Sequence, residues 1–155
     1  MTQRDSTVRL DFQSTFEMLD FVQVVSDHIG RLVGLDEDAV HWVGVAVRES
    51  VINAIKHGNA GDARKRVHVE FTPLEADTPR GLSVRVRDEG TGFDPSHLPD
   101  PLAPENLLKS SGRGIFLIKS FMDMVELRSA PEGGMEVTMI KRADAGREHA
   151  STSPP

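Results

Sequence analysis

The chain has 155 residues, the size of one ordinary domain, which at that length hides roughly 70% of the surface its unfolded form exposes. Cysteine is absent, which excludes disulfides, thiolate metal sites and thiol nucleophiles and suits a reducing compartment. A formal charge of −6 argues against wrapping nucleic acid, and there is neither a basic-then-apolar leader nor an apolar run of roughly 18 residues, so a soluble cytoplasmic chain with no direct nucleic-acid or membrane partner is expected.

Residues 1–6 and 143–155 lack apolar periodicity and are expected to be disordered ends around a single domain at 7–142. Alternation of Val8, Leu10 and Phe12 predicts a strand, and a helix runs from about 14 to 33, closed by Gly34. Asp36 and Asp38 are candidate N-caps for a long helix through Lys56, which Gly58 and Asn59 are expected to end in a left-handed conformation. Val67, Val69 and Phe71, then Leu82, Val84 and Val86, predict two strands joined by EADTPRG at 75–81. From 88 to 112 the apolar pattern stops and Gly and Pro accumulate, a length typical of lids and binding segments; 94–111 is expected to be mobile without ligand and ordered by it. A third helix is expected at about 113–122 with Phe116, Ile118, Phe121 and Met122 as its core face. Strands around 125–127 and 137–140 then flank a PEGG turn. The order predicts an α+β, two-layer sandwich with a mixed, mostly antiparallel sheet and helices on one face.

Three elements carry chemistry. On the second helix Val40, Val43, Val47, Val51 and Ala54 form an apolar stripe, with Glu49, Asn53 and His57 opposite. Trp42, Val45, Ala46 and Ile52 lie on or beside that polar stripe, so the helix is apolar nearly all round and Glu49 and Asn53 are expected to line a pocket rather than a solvated face. A carboxylate and an amide at i and i+4 suit a general base beside an oxygen ligand for Mg2+. Taken alone, this spacing arises often by chance.

The second element is DEGTG at 88–92, directly after a predicted strand; D-x-G-x-G arises by accident in roughly one chain of this length in twenty-five. Its glycines allow a sharp turn and close approach to a ligand, and its carboxylate can accept from an exocyclic amine. The third is SSGRG at 110–114, opening a predicted helix, where free backbone N–H groups, the positive helix end and Arg113 suit phosphates. Neither a Walker A loop nor a Rossmann fingerprint is present.

The three elements occur in one order, each in the context its chemistry needs. RESVINAIKHG at 48–58 resembles the N box of the GHKL (Bergerat-fold) ATPases, DEGTGF at 88–93 their G1 box and SGRGIF at 111–116 their G2 box, with GMEVTM at 134–139 similar to the closing strand. Within that superfamily the chain is most similar to the anti-sigma-factor serine/threonine protein kinases of bacterial partner-switching systems. The resemblance implies Mg2+ and ATP as cofactors, Glu49 as general base, Asn53 as Mg2+ ligand and Asp88 as acceptor of the adenine amine. It further implies Gly90 and Gly92 as the adenine-pocket floor and Gly112, Arg113 and Gly114 closing over the phosphates. Lys56 is implied near the phosphates or ribose and Thr138 beneath the adenine. An anti-sigma-factor antagonist as phosphorylation substrate, a competing sigma factor and a homodimer are implied likewise.

Two rivals arise from the same residues. The N box also resembles that of histidine kinases, whose phospho-accepting hairpin is not expected within the roughly fifty residues before Asn53; a binding module that holds ATP without phosphoryl transfer has no need of Glu49. A helical interaction protein without a ligand leaves the Gly-rich loop unexplained. His28, His41, His68, His97 and His149 show no metal-ligand spacing and are assigned nothing. Trp42 is read as packing, and the run Arg64, Lys65, Arg66 as a solvated loop edge.

Overall fold

The computed structural model describes residues 6–74, 80–90 and 118–143. Strand β1 (Val8–Gln13) leads through a short 3-10 turn (Phe16–Met18) into helix α1 (Leu19–Leu32), followed by α2 (Glu37–Asn53) and a π-helical turn (Ala54–Gly58). Strands β2 (Arg66–Leu74), β3 (Gly81–Arg87), β4 (Met124–Ser129) and β5 (Met135–Arg142) complete one sheet in the order β1-β2-β3-β5-β4. All four described pairings are antiparallel, where a mixed sheet was expected to be mostly so. Among the described residues no helix is long and apolar enough to cross a membrane.

Period-2 alternation sets the faces. Leu10 pairs with Val69, Val69 with Val86, and Val86 with Val137, so one row of inward side chains runs across the sheet under the helices. Val67, Val69, Phe71, Leu82, Val84 and Met139 are fully buried there. The helices supply the other wall: Leu19, Val22, Ile29 and Val33 from the α1 segment, and Val40, Val43, Val47 and Val51 from α2, each of these last four at most 3% exposed. Asp36 caps α2, its Oδ1 accepting from the Ala39 N–H at 2.8 Å. Asp38 lies inside the first turn.

The opposite face of the sheet is charged. Arg9 meets Glu70 at 3.1 Å, Arg85 meets Glu136 at 3.0 Å and lies 3.7 Å from Glu70, and Arg128 meets Glu136 at 3.0 Å. The signs therefore alternate across all five strands. Residues 118–121 are helical, Ile118 and Met122 are buried, and Trp42 stacks on Phe121 with ring centroids 3.6 Å apart and planes 6° from parallel. The PEGG turn takes its shape from Gly133 and Gly134, at φ 100° and 88°. At the other end, the Ala143 N–H donates to the Arg80 carbonyl at 2.6 Å.

Candidate functional site

Helix α2 carries Glu49 and Asn53 one turn apart. Both are half-buried, and neither side chain bonds to another described residue. Their neighbours on the helix offer them no free donor: Ala46 is buried and apolar, and buried Ser50 gives its hydroxyl to the Ala46 carbonyl at 2.8 Å. A carboxylate and an amide oxygen without partners among the described residues, set in a partly dry wall, are available to serve a ligand.

After Asn53 the helix widens instead of stopping. The Asn59 N–H donates to the Ala54 carbonyl, five residues back, at 2.8 Å, and Gly61 donates to Ile55 at 2.9 Å. The expected left-handed ending at Gly58 and Asn59 is not what forms: Asn59 has φ −85°, and the left-handed residues are Ala60 (φ 51°) and Gly61 (φ 73°). A π turn adds a residue to the helical circuit and re-aims the backbone beyond it. Lys56 and His57 are exposed, while Gly58 is driven against the end of β3.

The group that Gly58 meets there is Asp88. A Cβ on Gly58 would stand 2.0 Å from Asp88 Oδ2; one on Gly90 would stand 1.9 Å from the Gly58 carbonyl oxygen; one on Gly134 would stand 2.1 Å from the Asp88 carbonyl oxygen. Three glycines from three distant segments thus let backbone close on one carboxylate, which is only 4% exposed. Asp88 Oδ1 accepts from the Gly90 N–H at 2.9 Å and the Met135 N–H at 3.0 Å, and the Asp88 N–H donates to the Met135 carbonyl at 3.0 Å. Both described bonds to the carboxylate land on Oδ1, so its orientation is set and Oδ2 is the oxygen left for a donor brought in by a ligand.

A second layer holds this turn. The Glu89 N–H donates to Asn59 Oδ1 at 2.8 Å, Asn59 Nδ2 donates to the Arg66 carbonyl at 3.0 Å, and the Arg66 N–H donates to Glu89 Oε1 at 2.8 Å. His68 Nε2 lies 2.9 Å from Glu89 Oε2 and its Nδ1 3.4 Å from Asp11 Oδ2. The hydrogen bond from His68, then that from the Arg66 backbone, hold the Glu89 carboxyl below its ordinary pKa, against a smaller opposing effect of burial. His68, assigned nothing from the sequence, is therefore part of the support, and Arg66, read as loop edge, opens β2 and pairs with Asp11. Among the described residues no group of His, Asp and Glu could hold a metal by itself.

The fold brings Asp88 and Gly90 together with the C-terminal end of the helix that carries Glu49 and Asn53. It does not bring Thr138 to them. Thr138 pairs with Arg85 on one side and Glu126 on the other, which places it on the charged outer face, away from Asp88; the expected position beneath a base is corrected accordingly. Gly92, Gly112, Arg113 and Gly114, and the lid expected at 94–111, lie outside the described residues. Sequence reasoning missed Asn59, Gly134 and the contact role of Gly58. The alternation of Met135, Val137 and Met139 was the available sign that Thr138 faces outward.

A family profile described as "Histidine kinase-like ATPase domain" matches residues 12–141. The chain is 37% identical over 137 residues to the anti-sigma F factor of Oceanobacillus iheyensis, covering 86% of this chain and 90% of that one. It is 33% identical over 143 residues to the anti-sigma F factor of Clostridium perfringens, covering 89% and 97%. To the serine-protein kinase RsbW of Listeria monocytogenes it is 30% identical over 119 residues, covering 73% and 72%.

Proposed function

The chain belongs to the histidine kinase-like ATPase family, and from that premise we propose that it is an anti-sigma-factor-type serine/threonine protein kinase. It transfers the terminal phosphoryl group of Mg-ATP to a small antagonist protein and alternatively sequesters a sigma factor. The observation that carries the reading is the pairing of a pinned, nearly buried Asp88 at one end of α2 with half-buried Glu49 and Asn53 along it, neither of them bonded to another described residue. From Glu49 to Gly58, the residue against Asp88, the helix rises on the order of 13 Å. That is the scale of a nucleoside triphosphate from base to terminal phosphate.

In this reading Asp88 Oδ2 accepts from the exocyclic amine of adenine, and Gly90 and Gly92 admit the base edge. Glu49 draws the proton from the attacking Ser or Thr hydroxyl, and positioning does most of the rest. The Asn53 amide oxygen is a hard donor suited to Mg2+, which when bound neutralises phosphate charge. Lys56, exposed on the π turn, reaches toward the phosphates or ribose, and Gly112, Arg113 and Gly114 close over the phosphates. The protein works as a homodimer in the cytoplasm. Retention of Glu49, without a partner among the described residues, favours phosphoryl transfer over mere nucleotide holding by a passive ATP-binding module.

Calorimetry of ATP binding with and without Mg2+ tests the site on the wild type, Asp88→Ala, Asn53→Ala and Glu49→Gln. The expected result is binding in the wild type, its loss in Asp88→Ala, loss of the Mg2+ dependence in Asn53→Ala, and near-normal binding in Glu49→Gln with ATP turnover down by about 10²–10⁴. A wild-type protein that binds no ATP refutes the proposal.

A further inference from the structure

The three hydrogen bonds among Glu89, Asn59 and Arg66 form a closed circuit. Glu89 gives its backbone N–H to Asn59, Asn59 gives its amide N–H to the Arg66 carbonyl, and Arg66 gives its backbone N–H to the Glu89 carboxylate. Each residue is both donor and acceptor, and each comes from a different element: the exit of α2, the start of β2 and the turn after β3. Asn59 is 0% exposed, so both ends of its amide are fixed by these partners with no water to replace them. Its own N–H donates to Ala54 inside the π turn, and its carbonyl accepts from Asp62 at 2.9 Å.

This circuit is the second tie between the helix and Asp88. The first is the contact of Gly58 with the Asp88 carboxylate, which is steric and only limits how near the two can come. The bond from Glu89, the residue following Asp88, to Asn59, the residue following Gly58, is attractive and limits how far apart they can move. Contact and bond sit one residue apart on both strands of backbone, so together they fix the separation and the angle of the carboxylate relative to α2.

We propose that Asn59, closed in this circuit with Glu89 and Arg66, is the positioning residue that sets the Asp88 carboxylate for recognition of the adenine amine. The inference rests on the reading of Asp88 given under Proposed function. Asn59 touches no nucleotide; it acts through the backbone of residues 88–90. A carboxylate that recognises an amine by one hydrogen bond must be placed within a few tenths of an ångström of the correct distance. Opening the circuit therefore reduces discrimination between bases more than it reduces the affinity that any triphosphate gains from phosphate contacts. Asparagine is the residue that fits: aspartate keeps the acceptor for the Glu89 N–H but sets a charge against the Arg66 carbonyl, and alanine leaves one donor and one acceptor buried without partners. Glu89 contributes its carboxylate to the same circuit at a more exposed place, with 36% of its side chain accessible, and His68 braces it from the outer face.

The test compares ATP with inosine triphosphate, which carries a carbonyl oxygen in place of the adenine amine, by calorimetry with Mg2+ on the wild type, Asp88→Ala, Asn59→Ala, Glu89→Ala and Glu89→Gln. Thermal unfolding is measured alongside to verify folding. The wild type is expected to prefer ATP, and Asp88→Ala to erase the preference. Asn59→Ala and Glu89→Ala should reduce the preference at least about fivefold, the equivalent of one net hydrogen bond, while inosine triphosphate binds nearly as before. Glu89→Gln, which keeps the acceptor for the Arg66 N–H, should recover most of it. If Asn59→Ala fails to fold, the pair of Glu89 variants alone decides. An ATP preference that Asp88→Ala removes but the folded Asn59 and Glu89 variants keep overturns this inference and leaves the role of Asp88 standing. A wild type with no preference overturns both.

Discussion

Replacing Gly58 by alanine places a methyl group where none fits. The new carbon would stand 2.0 Å from Asp88 Oδ2, 2.2 Å from its Cγ and 2.7 Å from its Cβ. A flexible side chain could swing aside at little cost, but this one is pinned, with Oδ1 accepting from Gly90 and Met135. Swinging it out forfeits two bonds to an ionised acceptor, each worth about 1.5–3 kcal/mol, whereas shifting the helix end outward costs about 1–3 kcal/mol as overpacking and strains the bond between Asn59 and Glu89. The second route is cheaper, so Gly58→Ala should lose about 2–4 kcal/mol. At about 2–4 °C per kcal/mol for a domain of this size, the midpoint falls by roughly 5–15 °C. Because the first route displaces the carboxylate and the second displaces the end of α2 relative to it, by more than a hydrogen bond tolerates in either case, ATP affinity should fall at least tenfold even where the protein is fully folded. Scanning calorimetry and ATP titration, with Gly61→Asn as control, measure both; Gly61 has φ 73°, open space around it and a conformation asparagine accepts. A Gly58→Ala protein with a midpoint within 2 °C of wild type and an unchanged Kd would refute the reasoning, since the turn would then be yielding freely.

Phe121→Ala removes the stacked partner of the sole tryptophan, so Trp42 emission should shift to the red and stability fall by about 1–2 kcal/mol, read by fluorescence-monitored urea unfolding. Asp36→Ala removes the N-cap of α2 and should cost about 0.5–2 kcal/mol in the same assay without altering ATP selectivity. The pKa of Glu89 is lowered on folding, so its contribution is complete above the unfolded value of about 4.3 and disappears as pH falls through the lower folded value. The difference in melting temperature between wild type and Glu89→Gln should accordingly shrink as pH falls below the unfolded value of about 4.3; a difference that grows on acidification through that range contradicts the assigned direction.

Local pattern made the architecture legible. Val67, Val69 and Phe71, and Leu82, Val84 and Val86, alternate because one face of β2 and β3 is dry and the other wet, and the motif at 88–90 falls at a strand end because it directly succeeds the second run. Glu49 and Asn53 read as pocket-lining because apolar neighbours surround them on the helix wheel, and they are half-buried. The long-range contacts escaped. Nothing near Gly58 or Asn59 in the sequence reveals Asp88, Glu89 or Arg66 as their partners, and a glycine at a helix end reads as a left-handed cap when its use here is close approach. Thr138, set beneath the base by the resemblance alone, lies between Val137 and Met139 and so has the parity of the outer face; a shift of one residue in a strand exchanges its two faces.

The closure of Gly58, Gly90 and Gly134 around Asp88 also bears on when the site comes into being. Its parts lie at the exit of α2, after β3 and at the entry to β5, so a chain emerging from the ribosome holds Asp88 long before it holds the Met135 N–H that fixes the carboxylate. Contacts of such wide sequence separation are slow to form, because the entropy of loop closure is lost before they reward it. A nascent chain lacking β5 therefore has no oriented Asp88 carboxylate, and if Asp88 reads the base as proposed, nucleotide recognition first becomes available to the finished sheet.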